Sequence, residues 1–206
     1  DVTRFSFPQG EYAFAVHAAL PVTGPGQASL LEAGLKGSQR MAEFARQAGT
    51  QRLLHISSGA VYGSGAGSHG PICENDAWDL ATPPNDYTLA KRTEELVLAS
   101  ALPGRVVTAR CFAFMGPGFS ADAGTAAAQF IAQAARGEPI SIGSDGSAVR
   151  SYQYTSDMAR WLISLLALGP GGNAFNVGSD AGVSIRDLAT RIHRGAGITT
   201  DPIVAS

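Results

Sequence analysis

The chain has 206 residues, 45% of them apolar, enough for one sizeable core and too many for a disordered chain. Fifteen basic against seventeen acidic residues give a net charge of -2, which leaves no basic excess to grip a nucleic-acid backbone or an anionic membrane. Two cysteines, Cys73 and Cys111, exclude a disulfide framework, and four scattered histidines (His17, His55, His69, His193) show no ligand spacing, so no metal is expected. The longest apolar runs break well short of the ~20 residues of a bilayer span.

Residues 12–19 (YAFAVHAA) form a short apolar run of strand length. Leu31, Leu35, Met41, Phe44 and Ala45 recur at helical spacing and predict a helix over 28–48, ended by Gly49. A second strand is predicted at 52–56, a loop at 64–84, a helix at 87–101 and a third strand at 105–112. An alanine-rich helix at 123–136 stops at Gly137, and 139–142 and 151–154 read as short edge strands. A helix at 156–168, a strand at 174–177 and a helix at 184–194 with Ser184 as N-cap complete the chain. Strands alternating with helices predict an α/β fold with a parallel sheet and helices on both faces. Ligands of such sheets sit at the carboxyl ends of strands, here 18–20, 57–59 and 111–115.

Two glycine-rich stretches imitate a phosphate loop. Gly65 to Gly70 spells GxGxxG, but Pro71 and a polar loop follow where a helix should begin. Gly24-Pro25-Gly26 lies between a strand and a helix, with Ser29 in place of the third glycine. A stronger signal is Tyr87 with Lys91 four residues on, one of only two lysines in the chain. On a helix these positions share a face. A phenol titrates near pH ~10, and a neighbouring cation favours its phenolate, which makes the pair a general acid/base for an alcohol or carbonyl.

Other segments surround this pair in a fixed order. His55-Ile56-Ser57-Ser58-Gly59-Ala60-Val61-Tyr62-Gly63 sets two hydroxyls at a strand end, ahead of VYG. Arg110 to Gly118, Arg150 to Asp157, Phe175 to Ser179 and Ser184 to Ala189 follow, and His17-Ala18-Ala19 ends the first strand. In order and spacing the chain resembles, from Asp1 to about Ala189, the extended short-chain dehydrogenase/reductase family, and within it the NAD-dependent nucleotide-sugar epimerases and dehydratases.

The resemblance implies a Rossmann-like parallel sheet plus a small C-terminal substrate-binding lobe. Residues 1–120 would be a dinucleotide-binding domain lacking its first βα units, and 121–206 mostly the substrate lobe. The GxxGxxG turn is then expected roughly sixty residues upstream of Asp1, given the usual size of two βα units. Tyr87 would be the acid/base, Lys91 would hold it and the nicotinamide ribose, and Ser58 would bond the reacting hydroxyl. Asp1 and Val2 would lie near the adenine, and Ala18, Ala19 and Ser57 near the nicotinamide. Ala113 and Arg150 would meet the substrate, Arg150 clamping its diphosphate through a fixed fork of donors. Arg110 reads mainly as a packing and pairing residue, and Asp157 and Asn176 as caps or turn residues.

Departures from the family pattern narrow the chemistry. Gly59 and Ala60 stand where similar 4,6-dehydratases carry acids, and UDP-glucuronate decarboxylases carry a glutamate at Ala60's place. Ala113 and Gly34 each replace an asparagine. The reading is an NAD-dependent nucleotide-sugar 4-epimerase, with NADP as the other possible cofactor. The alternatives are an NADP-dependent ketosugar or carbonyl reductase, or a non-catalytic dinucleotide-binding protein. The absence of targeting segments points to the cytoplasm, and the family implies a homodimer through the helices at 28–48 and 87–101.

Overall fold

The computed structural model describes residues 1–20, 29–63, 70–118 and 124–204. In chain order it contains β1 (Phe14–His17), α1 (Leu30–Gln47), β2 (Arg52–Ser58), a 3-10 turn (Gly59–Tyr62), α2 (Asp86–Ala101), β3 (Val106–Cys111) and β4 (Ala113–Met115). There follow α3 (Ala126–Ala135), β5 (Ser141–Ile142), β6 (Val149–Tyr154), α4 (Thr155–Leu168), β7 (Ala174–Val177), β8 (Gly182–Ser184), α5 (Ile185–Gly195) and β9 (Ile203–Val204). The chain divides into two compact units, residues 1–112 with 159–177, and residues 113–158 with 178–206, so one division falls inside α4. Gly24-Pro25-Gly26 and most of the 65–70 stretch lie outside the described residues.

The first unit holds a parallel sheet in the order β1-β2-β3-β7. Parallel neighbours need a crossover, and α1 and α2 supply two of them. All six residues of β3 are buried, the pattern of a strand covered on both faces. β1 is shorter than the predicted run because the chain before it serves the α1–β2 turn: Tyr12 N donates to Ala48 O, and Ala13 O accepts from Gln51 N. Its burial alternates, with Ala15 and His17 inside and Phe14 and Val16 exposed.

Local chemistry fixes the two helices. The Ser29 hydroxyl accepts from Glu32 N at the start of α1, and Gly49, at φ +65°, takes the left-handed conformation just beyond its end. The Asn85 side chain accepts from Thr88 N at 2.8 Å to start α2. The helices approach closely at Gly34, where a Cβ would lie 3.3 Å from both the Cβ and the carbonyl oxygen of Ala90. A larger side chain there would press on α2. Met41, Phe44 and Ala45 then pack against Leu53, Leu98, Leu102 and Val106, with Phe5 and Phe7 against the same core. Phe5, Phe7 and Tyr12 surround the Phe44 ring at centroid distances of 5.6–5.9 Å.

In the second unit β6 is central: it runs parallel to β4 and antiparallel to β8. The predicted edge strand at 151–154 is therefore an inner one, because two partners that are weak in sequence, β4 and β8, flank it. β5 pairs in parallel with β9, and Phe130, Ile140, Ile142 and Leu188 form the core. Ser184 caps α5 as predicted, accepting from Asp187 N at 2.9 Å. Among the described residues no helix is long and apolar enough to cross a membrane.

Candidate active site

Tyr87 and Lys91 lie one turn apart on α2, in different surroundings. Tyr87 is 40% exposed and Lys91 only 5%. The lysine stem runs beneath the helix to β2, where Nζ donates to Ile56 O at 3.0 Å and to Glu94 Oε2 at 2.9 Å. An ammonium has three N–H donors, so one is left for a ligand. Among the described residues, the Tyr87 hydroxyl has no hydrogen-bond partner. Ser58 ends β2 half-buried; its Oγ accepts from Ala60 N at 3.2 Å and keeps its own proton to donate. Immediately after it, a Cβ on Gly59 would lie 2.7–3.0 Å from three carbons of the Phe112 ring. No side chain fits at position 59 with Phe112 where it stands.

Beneath Lys91 lies a buried cluster that the sequence did not reveal. His17 from β1, His55 from β2 and Glu94 from α2 are each at most 2% exposed. Their contacts are 3.6 Å (His55 Nε2 to Glu94 Oε2) and 4.0 Å (His17 Nε2 to Glu94 Oε1), and the two imidazoles stack at 5.5 Å. Burial, and then the Lys91 charge, push His17 down from 6.5 to about 4. Burial, then His17 and Lys91, hold His55 well below its usual value. Burial raises the Glu94 carboxyl, with Lys91 opposing.

These shifts predict an acid-side loss of stability. A histidine in the unfolded chain titrates near pH ~6.5, so unfolding takes up protons below that value. The His17 contribution is complete above pH 6.5 and lost as pH falls through about 4. The raised Glu94 acts in the opposite sense and offsets part of the loss. Urea midpoints are expected to fall between pH 7 and 4.5, and to fall less in His17→Asn. Parallel pH curves for the two proteins would exclude His17 as a source.

A second buried network runs beside the first. Ser57, 3% exposed, donates its hydroxyl to Glu95 Oε1 at 2.5 Å. Arg110 on β3 meets the same carboxylate through two nitrogens, Nε at 3.1 Å and Nη2 at 2.9 Å. Its Nη1 donates to the Tyr62 hydroxyl at 2.9 Å, which donates in turn to Asn176 Oδ1 at 2.8 Å. Burial works against the Arg110 charge, but its bonds to Glu95 and Tyr62 outweigh that and hold its ionisation above the ordinary range. Arg110 is therefore structural, as the sequence suggests. Asn176 is neither cap nor turn: it lies in β7 and also donates to Ile72 O.

The other predicted residues are spread around this frame. Ala18 and Ala19 follow β1 and are exposed. The Ser57 hydroxyl is committed to Glu95. The Asp1 carboxylate is held by Thr3 and Arg4, and Val2 packs against Gly37. In the second unit, Ala113 opens β4 half-buried. Arg150 is exposed on β6; its Nη1 donates to Val149 O, and among the described residues it forms no ion pair.

The chain resembles known proteins over most of its length. UDP-glucuronic acid decarboxylase 1 of Arabidopsis thaliana is 29% identical over 174 residues, which cover 77% of this chain and 37% of the relative. The structure of MoeE5 in complex with UDP-glucuronic acid and NAD is 27% identical, with a TM-score of 0.74, over 94% of this chain and 64% of that one. RMD from Pseudomonas aeruginosa, complexed with NADPH, is 25% identical with a TM-score of 0.79, over 93% and 67%. The chain thus spans little more than a third of the curated relative's length. Residues 7–178 match the family model described as the NAD dependent epimerase/dehydratase family, and the chain belongs to that family.

Proposed function

We propose that the protein is a nucleotide-sugar 4-epimerase using NAD, with Tyr87, Lys91 and Ser58 as its catalytic residues. The closed space at Gly59 carries this reading. Elimination of water needs a positioned acid and base beside the phenol. Phe112 leaves no room for one at position 59, and Ala60 offers no carboxylate. What remains is a set sufficient for reversible oxidation of one hydroxyl.

The residues present fit a dinucleotide. The spare N–H of Lys91 suits a ribose hydroxyl, and the small Ala18 and Ala19 at the end of β1 leave space for a ring. NAD, when bound, supplies the hydride acceptor and donor. Tyr87, as phenolate, takes the proton of the C4 hydroxyl; Ser58 donates a hydrogen bond to that oxygen. Tyr87 returns the proton once the opposite face of the C4 carbonyl has been reduced. Lys91 stabilises the phenolate through its charge. In this reading the first unit carries the dinucleotide site and the second unit the substrate lobe.

The Arg150 guanidinium, which has no ion pair among the described residues, is proposed to bind the substrate diphosphate. A contact made equally in ground and transition states affects KM more than kcat. Arg150→Ala is expected to raise KM roughly tenfold or more with kcat changed less than about threefold. An unchanged KM would assign Arg150 to structure.

The deciding experiment incubates the NAD-loaded protein with UDP-glucose or UDP-glucuronic acid and follows the sugar by NMR. The C4 epimer is expected; a 4-keto-6-deoxy sugar or a decarboxylated pentose as the product would refute the reading. The similarity to an NADPH-bound structure favours a ketosugar reductase as second reading. Identification of the co-purified dinucleotide separates the two: retained NAD supports the epimerase, exchangeable NADP the reductase.

A further inference from the structure

We propose that Glu94, enclosed by His17 and His55, is a positioning residue for Lys91: it holds the ammonium at the floor of the Tyr87 site, and its charge sets the pH range in which the Tyr87/Lys91 pair exchanges protons. The inference rests on the catalytic reading given above for that pair.

The geometry is that of a counter-ion in a dry pocket. The Lys91–Glu94 contact of 2.9 Å has side chains 7% and 1% exposed. Among the described residues, Glu94 Oε1 and His17 Nε2 have no hydrogen-bond partner. Every element packed on the carboxylate contributes. β1 supplies His17, β2 supplies His55, and α2 itself supplies Lys91 and Glu95. α1 brings Gly34 next to the Glu94 stem, and the buried residues around it, Ala33, Gly37 and Ser38, carry no charge. The Cys111 thiol on β3 also feels Lys91; burial pushes it up to about 11, so it stays neutral. Both imidazoles are neutral near pH 7, with His17 titrating at about 4, so neither competes with Lys91 for the carboxylate.

The three side chains also place metal-type donor atoms within 4.8 Å of one another. The ammonium, however, already puts a positive charge on Glu94, and a second cation there would be repelled. Lys91 fills the role a metal would otherwise take. The carboxylate acts on Tyr87 only through Lys91. Removing a buried anion makes every neighbouring proton easier to lose, so both limbs of the activity profile should move toward acid.

Lys36 is the only other lysine, which makes side-chain NMR decisive. Titration of the two Nζ signals, assigned with Lys36→Arg, is expected to show the Lys91 midpoint moving toward acid by at least about one pH unit in Glu94→Gln, with Lys36 unmoved. Both limbs of kcat/KM against pH should follow, and Glu94→Asp, which keeps the charge, should restore their positions even where kcat is lower. A Lys91 midpoint displaced by less than about 0.2 units would overturn the proposal. So would one equivalent of bound zinc that is lost in Glu94→Gln. If Glu94→Gln does not fold, the wild-type protein still decides: the Glu94 carboxyl and Lys91 Nζ signals should respond to each other's titration, and independent curves refute the link. Full activity in Tyr87→Phe would instead refute the catalytic reading and leave the Lys91–Glu94 titration standing.

Discussion

If Tyr87 is the acid/base proposed above, Tyr87→Phe in the NAD-loaded protein is expected to lower kcat by roughly two to four orders of magnitude, the usual worth of a positioned general acid/base. The change deletes one oxygen from a side chain that is 40% exposed and has no hydrogen-bond partner among the described residues. Little else should therefore move. The helix start is set by Asn85 and Thr88, and Lys91 is anchored to Ile56 and Glu94 independently of the phenol. On the proposed reading, binding of the nucleotide sugar should stay within a few-fold, because the diphosphate and ribose contacts proposed for Arg150 and Lys91 do not involve this oxygen. Turnover rates and calorimetric binding together check the claim. A kcat near wild type would remove Tyr87 from the mechanism, and a parallel collapse of binding would give the hydroxyl a binding role instead.

Arg110→Met is expected to cost about 3–5 kcal/mol of stability, because it leaves the Glu95 carboxylate buried without its cation. The two side chains are only 10% and 9% exposed, so water cannot take over the solvation. Tyr62 loses its donor at the same time, and the link from β3 through the 3-10 turn to β7 is cut. For a chain of this size the midpoint of thermal unfolding should drop by about 10 °C. Glu95→Gln on the Arg110→Met background should recover much of the loss, since the isolated charge is then gone. A loss under about 1 kcal/mol would mean the pair behaves as a surface contact.

The alternation of strands and helices was legible because each element carries its own periodicity and stop signal. Gly49 and Gly137 end helices where expected, and Ser184 starts one. Tyr87 and Lys91 were legible because helical spacing alone joins them. What escaped depended on contacts between distant segments. Glu94 looks like any helix-surface acid until α2 is laid on β1 and β2, where His17 and His55 meet it. Asn176 resembles a turn residue until its strand is paired with β3, which brings it under Tyr62. β6 reads as an edge because β4 and β8, at three residues each, are too short to announce themselves.

Ser57 and Ser58 are chemically identical neighbours, yet a strand sends them to opposite faces. One hydroxyl is locked to Glu95, while the other caps the 3-10 turn. A one-residue slip of β2 toward its C-terminus would place Ser57 at the turn and Ile56 against Glu95, sparing the chemistry and losing the brace. The reverse slip would keep the brace and present Gly59 to the substrate. Each serine is thus a spare for the other's position but never for both at once. In a saturation screen, changes at Ser57 should be filtered by how much protein accumulates, and changes at Ser58 by how fast that protein works.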